Sequence, residues 1–167
     1  MTTTTNPFVH FIDAVGFYGP NILFIATVFF TWKQFPYLIA FLIGSFFNTK
    51  INEVLKEWIR EPRPKHNESL QFKYENLPDH GAHKWGMPSA HAQSIFYCIS
   101  YLYFVTESTK ILAFSALLCI NTIYQRYKSR VHTVKQLAIG SMLGVLFAYL
   151  TFIATKWAKM HPIKFLT

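Results

Sequence analysis

The stretch QLAIGSMLGVLFAYLTFIAT, residues 136–155, is twenty residues long and contains no charged side chain. A helix needs about 20 consecutive apolar residues to cross the hydrocarbon core of a bilayer. Four further charge-free stretches lie upstream of it, at residues 14–32, 34–49, 85–106 and 111–125. We therefore predict an all-α fold, a multi-pass transmembrane helical bundle with about five spans.

The composition also favours a membrane protein over a soluble one. Of the 167 residues, 51% are hydrophobic and 18% are aromatic. The net charge is +8, but the basic residues lie mainly between the apolar stretches. We therefore expect the partners to be the lipid bilayer and an anionic lipid phosphate, and not nucleic acid. Cys98 and Cys119 lie within apolar stretches and are expected to be packed, unreactive thiols.

Prolines and polar residues set the expected limits of the spans. Gly19 and Pro20 are expected to kink the first span or delay its start, and Pro88 suits the first turn of the third. No lysine, arginine or cleavage site precedes the first span, so it is expected to be retained and not to be a signal peptide. The spans are expected at about residues 16–32, 36–55, 88–106, 111–124 and 132–155.

Residues 1–167 carry no internal repeat or linker and are expected to form one membrane domain, with a polar loop at residues 60–87. Five spans alternate sides of the membrane. The end of span two, the start of span three and the turn between spans four and five must therefore share one face. These three places hold most of the unusual polar residues, which predicts one active site at that face.

The first of these places is KEWIREPRP, residues 56–64. Two helical turns separate Lys56 from Arg63, so both side chains face the same way if the helix persists. A guanidinium offers a planar fork to phosphate oxygens, and an ammonium offers a compact charge. The pair is a candidate phosphate-binding site, and the alternative is two interfacial charges that reach towards water.

The second place is GMPSAHAQ, residues 86–93, at the start of span three. The backbone N–H groups of Ser89 and Ala90 are expected to be unpaired first-turn donors, which together with the helix dipole make an anion site. His91 is positioned to donate a proton to a leaving oxygen. The alternative is an ordinary interfacial histidine at a helix start.

The third place is YQRYKSRVHTVKQ, residues 124–136. His132 and Gln136 are four residues apart, on one face if both are helical, and Arg126 lies six residues before His132. A nucleophilic histidine needs one ring nitrogen as a lone pair and the other held as N–H. The side-chain carbonyl of Gln136 is the expected acceptor. The alternative is that the arginine is an interface charge and His132 caps the helix.

Together the three clusters resemble the type 2 phosphatidic acid phosphatase superfamily, whose pattern is K-x6-RP, then PSGH, then SR-x5-H-x3-D. The chain departs from this pattern at three positions. Ala90 replaces glycine, Gln125 replaces serine, and Gln136 replaces the aspartate that orients the nucleophile. Over residues 52–140 the chain also resembles the dolichyl diphosphatase branch, which carries IREPRP, GMPSSH and a glutamine at the position of Gln136.

The resemblance implies the roles of the site residues. His132 would attack the terminal phosphorus to form a phosphohistidine, and His91 would protonate the leaving group and then activate water. The phosphate oxygens would be held by basic side chains and two backbone amides, without a metal or another cofactor. These phosphate-binding groups are Lys56, Arg63, Arg126 and the amides of Ser89 and Ala90.

The resemblance further implies a dolichyl or other polyprenyl diphosphate as substrate, and a role in the N-glycosylation pathway. It places the active site at the lumenal face of the endoplasmic reticulum, where the sequon at Asn67 would be usable. Two alternatives stay open. One is a phosphatase for phosphatidic acid or another lipid monophosphate, and the other is a non-catalytic membrane protein that binds lipid headgroups. A channel is disfavoured because the charges gather at one face.

Overall fold

The computed structural model describes residues 7–64 and 81–161. Over these residues the chain is all-α, which confirms the predicted fold class. The helices are α1 (Pro7–Thr31), α2 (Phe35–Ile59), α3 (Ala90–Thr106), α4 (Thr109–Lys128) and α5 (Val134–Met160). One short 3-10 turn, Ala82–Lys84, precedes α3.

The outer surface of the bundle is apolar, as a protein dissolved in lipid requires. Phe29, Phe114 and Met142 are 74%, 79% and 68% exposed. Helices α1, α2 and α5 are each long and apolar enough to cross a membrane. Helix α3, with 17 residues, packs against each of the other four helices. The described chain is therefore a multi-pass transmembrane helical bundle, with α3 at its centre.

Helix α1 begins earlier than predicted. It starts at Pro7 and continues through Pro20, so the expected start near Gly16 was wrong. Proline is favoured in the first turn of a helix, where the missing N–H has no partner to lose. The early part of α1 is also fixed to α4, because Lys128 Nζ contacts both carboxylate oxygens of Asp13 at 3.0 and 3.1 Å. Tertiary contacts thus extend the helix beyond its most apolar part.

The core between α2 and α3 consists of stacked aromatic rings. Phe41 and Tyr97 stack with ring centroids 5.6 Å apart, and the Tyr97 hydroxyl donates to the Phe41 carbonyl at 3.1 Å. The Tyr101 hydroxyl donates to the Tyr37 carbonyl at 2.7 Å. These bonds give the two buried tyrosine hydroxyls hydrogen-bond partners in a region that water does not reach. Cys98 and Cys119 are buried in the same core as free thiols, as predicted.

Helices α3 and α5 approach each other closely at their N-terminal ends. A Cβ atom on Gly140 would lie 2.6 Å from the Ser89 carbonyl oxygen, so a side chain at this position would force the helices apart. The close approach also lets the Ser89 N–H donate to the Gln136 carbonyl at 3.1 Å. The starts of α3 and α5 are therefore held side by side.

Candidate active site

Three segments that are distant in sequence meet at one end of the bundle. Arg63, which follows α2, places its Nη1 3.1 Å from Nε2 of His132 in the turn between α4 and α5. The Gly86 N–H, ahead of α3, donates to the Glu61 carbonyl at 2.8 Å. The structure thus brings together the three polar clusters that the alternation of spans places on one face.

His132 is buried, and each of its ring nitrogens has a defined neighbour. Nδ1 lies 3.2 Å from Oε1 of Gln136, and Nε2 faces Arg63. A guanidinium can only donate, so Nε2 must be the acceptor and Nδ1 carries the proton. The network therefore selects the tautomer in which Nε2 has a lone pair, which is the form a nucleophilic histidine requires.

The contact between His132 and Gln136 does not arise from a shared helical face. Helix α5 begins at Val134, two residues later than predicted, so His132 precedes it. Thr133 caps the helix: its hydroxyl accepts from the Gln136 N–H, and its own N–H donates to Gln136 Oε1, both at 3.2 Å. This capping box turns the glutamine side chain back towards the histidine.

The side-chain amide of Gln136 has all of its hydrogen-bonding capacity in use. Oε1 accepts from His132 and Thr133, while Nε2 donates to Glu61 Oε1 at 3.0 Å and to the Pro62 carbonyl at 2.9 Å. The two acceptors fix which end of the amide is nitrogen. Gln136 is completely buried, so rotation of the amide would break four bonds without water to replace them.

The surroundings of His132 disfavour its protonated form. Burial lowers the pKa of His132 well below its ordinary value of 6.5, and the positive charges of Arg63, Lys56 and Arg126 lower it further. The hydrogen bond to Gln136 acts in the opposite direction. The imidazole is therefore neutral at physiological pH.

Arg63 lies in an extended segment, because α2 ends at Ile59 and Arg60 takes a left-handed conformation with φ of 51°. The condition for Lys56 and Arg63 to share one helical face is therefore not met, since two prolines follow Arg60 and prevent further helix. The Arg63 guanidinium is instead held by backbone carbonyls. It donates to Val131 at 3.3 Å and to His83 at 2.9 Å.

Lys56 is buried near the end of α2, and its ammonium donates to the Trp85 carbonyl at 2.6 Å. Within residues 7–64 and 81–161 this ammonium has no ion-pair partner. Burying a charge without a counter-ion is costly unless a ligand supplies one. Lys56 is thus suited to an incoming anion.

Arg126 and His91 contact the same aromatic ring. Arg126 is buried, its Nε donates to Oε1 of Gln125 at 2.6 Å, and its guanidinium lies 5.1 Å from the Phe17 ring centroid. The ring centroids of His91 and Phe17 lie 5.5 Å apart. The positive charges of Lys56 and Arg126 both lower the pKa of His132.

The start of α3 differs from the prediction in two respects. The helix begins at Ala90, because Ser89 has extended backbone and caps it with a hydroxyl that accepts from Ala92 N–H. Pro88 is therefore not in the first turn. The Ser89 N–H donates to the Gln136 carbonyl, so it is not the unpaired donor that was expected. Of the expected pair of amides, Ala90 alone is left for an anion. Among the described residues, the N–H groups of Ala90 and His91 have no hydrogen-bond partner.

A cavity of about 600 Å³ opens beside His132. The cavity is lined by Pro64, Tyr127, Lys128, Arg130, His132, Thr133 and Val134.

Two predictions about the site stay open. Within the part of the chain that the structure describes, no group of three or more His, Cys, Asp or Glu side chains could hold a metal ion. Metal independence stays a prediction. The predicted role of the loop residue Asn67 lies outside the described residues.

Several residues that shape the site were not predicted. Phe17 lies in no motif, and Glu61 lies within the IREPRP stretch but resembles a surface charge there. A signal did exist for a third group, because Asn48, Asn52 and Lys56 recur every four residues on one side of α2. Asn52 donates to Gln93 Oε1 at 2.7 Å, and this buried contact fixes the start of α3 against α2.

The fold and these contacts define a transmembrane helical bundle with two histidines and three cations gathered at one end. The family model described as the PAP2 superfamily matches residues 33–160. The chain belongs to the PAP2 superfamily, which confirms the resemblance found from the motifs.

Two curated relatives and one solved structure are similar to the chain. "Dolichyldiphosphatase 1" of Dictyostelium discoideum is 27% identical over 125 residues, covering 68% of the chain and 50% of the relative. "Dolichyldiphosphatase" of Saccharomyces cerevisiae is 29% identical over 129 residues, covering 69% of the chain and 49% of the relative. The chain thus spans about half the length of the curated relatives it matches.

The solved structure is that of a transmembrane PAP2 type phosphatidylglycerolphosphate phosphatase from Bacillus subtilis. It superposes with a TM-score of 0.62 at 18% identity, covering 98% of the chain and 82% of that protein. At this identity the similarity shows the shared fold.

Proposed function

We propose that the protein is a metal-independent lipid phosphatase that hydrolyses a polyprenyl diphosphate, such as dolichyl diphosphate, to the monophosphate and inorganic phosphate. The observation that carries this proposal is the state of His132. Its Nε2 is an acceptor held beside Arg63, its Nδ1 proton is fixed by Gln136, and its neutral form is favoured. A buried imidazole prepared in this way suits nucleophilic attack on an anion.

In the first step His132 Nε2 forms a bond to the terminal phosphorus, and the bond from that phosphorus to the bridging oxygen breaks. The departing lipid monophosphate takes a proton from His91, which must enter this step as the imidazolium and leaves it as the neutral ring. In the second step water attacks the phosphohistidine and gives a proton to His91. Inorganic phosphate leaves, and His132 recovers its lone pair.

Fixed cations supply most of the stabilisation that this mechanism requires. Phosphoryl transfer spreads charge over the equatorial oxygens, so preorganised donors are effective. Arg63, Lys56 and Arg126 all act on the charge of His132, and the Ala90 N–H lies at a helix start. These groups would hold the terminal phosphate as it changes partners.

An apolar groove accounts for the lipid part of the substrate. A groove of about 720 Å³ runs between α3, α4 and α5, and it shares Tyr127 and Val134 with the cavity beside His132. We place the prenyl chain in this groove, because Tyr127 and Val134 border both spaces and a diphosphate beside the histidine would therefore have an apolar groove next to it. The names of the two curated relatives support this substrate class.

We further propose a location in the endoplasmic reticulum membrane, with the active site facing the lumen and a role in N-glycosylation, as the motif resemblance implies. The test of orientation is the sequon at Asn67. In a lumenal loop it would acquire a glycan that endoglycosidase removes and that Asn67→Gln abolishes.

The enzymatic test is phosphate release by the detergent-purified full chain in the presence of EDTA. The substrates are a polyprenyl diphosphate, a polyprenyl monophosphate and phosphatidic acid. His132→Ala should reduce turnover by about 10⁴-fold, as loss of a nucleophile commonly does. The matched control is His161→Ala, since His161 is exposed and stacks on Trp157 at the opposite end of α5.

Each outcome separates the candidate functions. Preferential release from phosphatidic acid would replace the diphosphatase with a monophosphatase. Binding of these lipids with no phosphate release would favour the non-catalytic headgroup binder. Full activity of His132→Ala would contradict the assignment of the nucleophile.

A further inference from the structure

Glu61 lies directly behind the pair formed by His132 and Gln136. Its Oε1 accepts from Gln136 Nε2 at 3.0 Å, and Oε1 of the same glutamine faces His132 Nδ1 at 3.2 Å. A carboxylate, an amide and an imidazole therefore form one hydrogen-bonded chain. In such a chain, charge at one end polarises the groups in between and strengthens the bond at the other end.

The charge on Glu61 is secured by its surroundings. Its Oε2 accepts from Lys135 Nζ at 3.0 Å, and this hydrogen bond lowers the pKa of Glu61 below its ordinary value of 4.5. The carboxylate is therefore ionised at neutral pH. The side chain of Lys135 is 71% exposed and that of Glu61 is 27% exposed. Ion pairs this exposed contribute little to stability, so the pair with Lys135 does not by itself explain the placement of Glu61.

We propose that Glu61 is a positioning residue for the nucleophile. Its carboxylate polarises the Gln136 amide, which in turn holds the Nδ1 proton of His132 and stabilises the positive charge that the ring gains during attack. This inference rests on the proposed function. It also accounts for a departure from the superfamily motif. Gln136 lacks the negative charge of the usual aspartate, and Glu61, which is hydrogen-bonded to Gln136 and not to His132 itself, supplies that charge.

A purely structural role makes different predictions. Glu61 could serve only to tie its segment to α5 through Lys135, and its backbone carbonyl already ties that segment to Gly86. Glu61→Gln separates the two roles, because glutamine keeps the size of the side chain and an oxygen that can accept from Gln136. It removes the charge alone. Lys135→Gln is the matched control, since it removes the exposed ion pair and keeps the carboxylate.

Kinetics on the full chain in detergent give the first readout. Glu61→Gln should lower kcat roughly tenfold, the size of effect seen for groups that orient a functional histidine, with KM changed less than about twofold. Among the described residues, Arg63, Lys56 and Arg126 act on the charge of His132, Lys128 and Arg130 line the same cavity, and all five stay in place. Loss of the distant negative charge should therefore lower the pKa of His132 and move the acid limb of kcat/KM to lower pH by about half a unit to one unit. Lys135→Gln should leave both quantities unchanged.

A charge-exchange variant gives the second readout. In Glu61→Gln/Gln136→Glu the carboxylate lies directly against the ring, and the new amide at position 61 can donate to it. This variant should regain most of the kcat lost in Glu61→Gln, with its acid limb at higher pH than in the wild type. If Glu61 served only to tie its segment to α5 through Lys135, this exchange would not restore kcat.

A third readout does not depend on turnover. In ¹⁵N-histidine NMR of the resting protein, the Nδ1 proton signal of His132, identified by its loss in His132→Ala, should move upfield in Glu61→Gln as the hydrogen bond weakens. An unchanged signal, or equal kcat losses in Glu61→Gln and Lys135→Gln, would overturn the proposal. A wild-type protein that releases no phosphate would overturn the proposed function, and the NMR comparison would still decide the role of Glu61.

Discussion

The starts of α3 and α5 lie side by side and have the same kind of cap, yet their donors are used differently. At α5, Thr133 and Gln136 bond each other reciprocally, and the glutamine side chain is also bonded to Glu61. At α3, Ser89 accepts from Ala92 at 3.4 Å, and no side chain reaches back. Within the described residues the Ala90 amide is left without a partner.

The difference indicates a division of roles between two similar helix ends. A helix start whose donors are already used can hold a neighbouring side chain rigidly, as α5 holds His132. A helix start with an open amide keeps its partial positive charge available to an anion. In the proposed mechanism, one end would therefore position the nucleophile, and the other would be available to the phosphate. Three measurements test whether this division is real.

The largest effect on kcat is expected from removing the unpaired N–H of Ala90. Ala90→Pro removes one N–H at a position where proline suits a helix, and the extended Ser89, with ψ of 118°, suits the residue before a proline. We expect kcat to fall by about 10²- to 10³-fold, as after loss of one oxyanion donor.

The matched control for this change is Thr109→Pro, at the first position of α4. Ser108 before it is also extended, with ψ of 108°. The substitution should leave phosphate release near the wild-type rate. Equal losses in both variants would mean that proline damages the helices generally, and full activity of Ala90→Pro would mean that this amide does not contact the phosphate.

A smaller effect is expected from opening the capping box at α5. Thr133→Val removes the hydroxyl that accepts from Gln136 at 3.2 Å. Loss of such a cap costs about 1 kcal/mol of stability. Because the glutamine is then held less firmly against His132, kcat should also fall by about tenfold.

Ser108→Ala provides the comparison, because the Ser108 hydroxyl caps α4 by accepting from Ile111 at 3.4 Å. Thermal unfolding in detergent should show a similar loss for both variants, whereas only Thr133→Val should lose activity. If the two variants lose activity in parallel with stability, the α5 start has no special role.

The smallest effect is expected in the pH profile. Burial and the charges of Arg63 and Lys56 lower the pKa of His132, so the neutral nucleophile persists on acidification. The acid limb of kcat/KM due to this residue should therefore lie below pH 6.5. Gln136→Glu places a carboxylate beside the ring, raises its pKa and should move the limb upward by about one unit. Both proteins are measured on one substrate, so that ionisation of the substrate cancels. If the acid limb does not move, the ionisation of His132 does not cause the pH dependence of kcat/KM.

Much of the fold follows from local patterns in the sequence. The charge-free stretches predict five helices because spans in lipid must be apolar and internally hydrogen-bonded. The clustering of polar residues predicts which ends meet, since each helix reverses direction. The helix limits near Gly16, Pro88 and His132 were less predictable, because caps and tertiary contacts set them.

The partners of the site residues were harder to predict. Nothing local shows that the Ser89 amide would be taken by the Gln136 carbonyl, because that bond depends on how closely α3 approaches α5. Glu61 likewise gains its contact with Gln136 only after the chain has folded across 75 residues. Spacing identifies side chains of the right chemistry, whereas three-dimensional packing decides which of their atoms stay available.

The Arg63 guanidinium covers the nitrogen of His132 that would attack phosphorus in the proposed mechanism. An approaching phosphate offers that guanidinium a stronger, charged partner than a neutral ring. In the proposed mechanism, arrival of the substrate would therefore uncover the nucleophile, and departure of the product would cover it again.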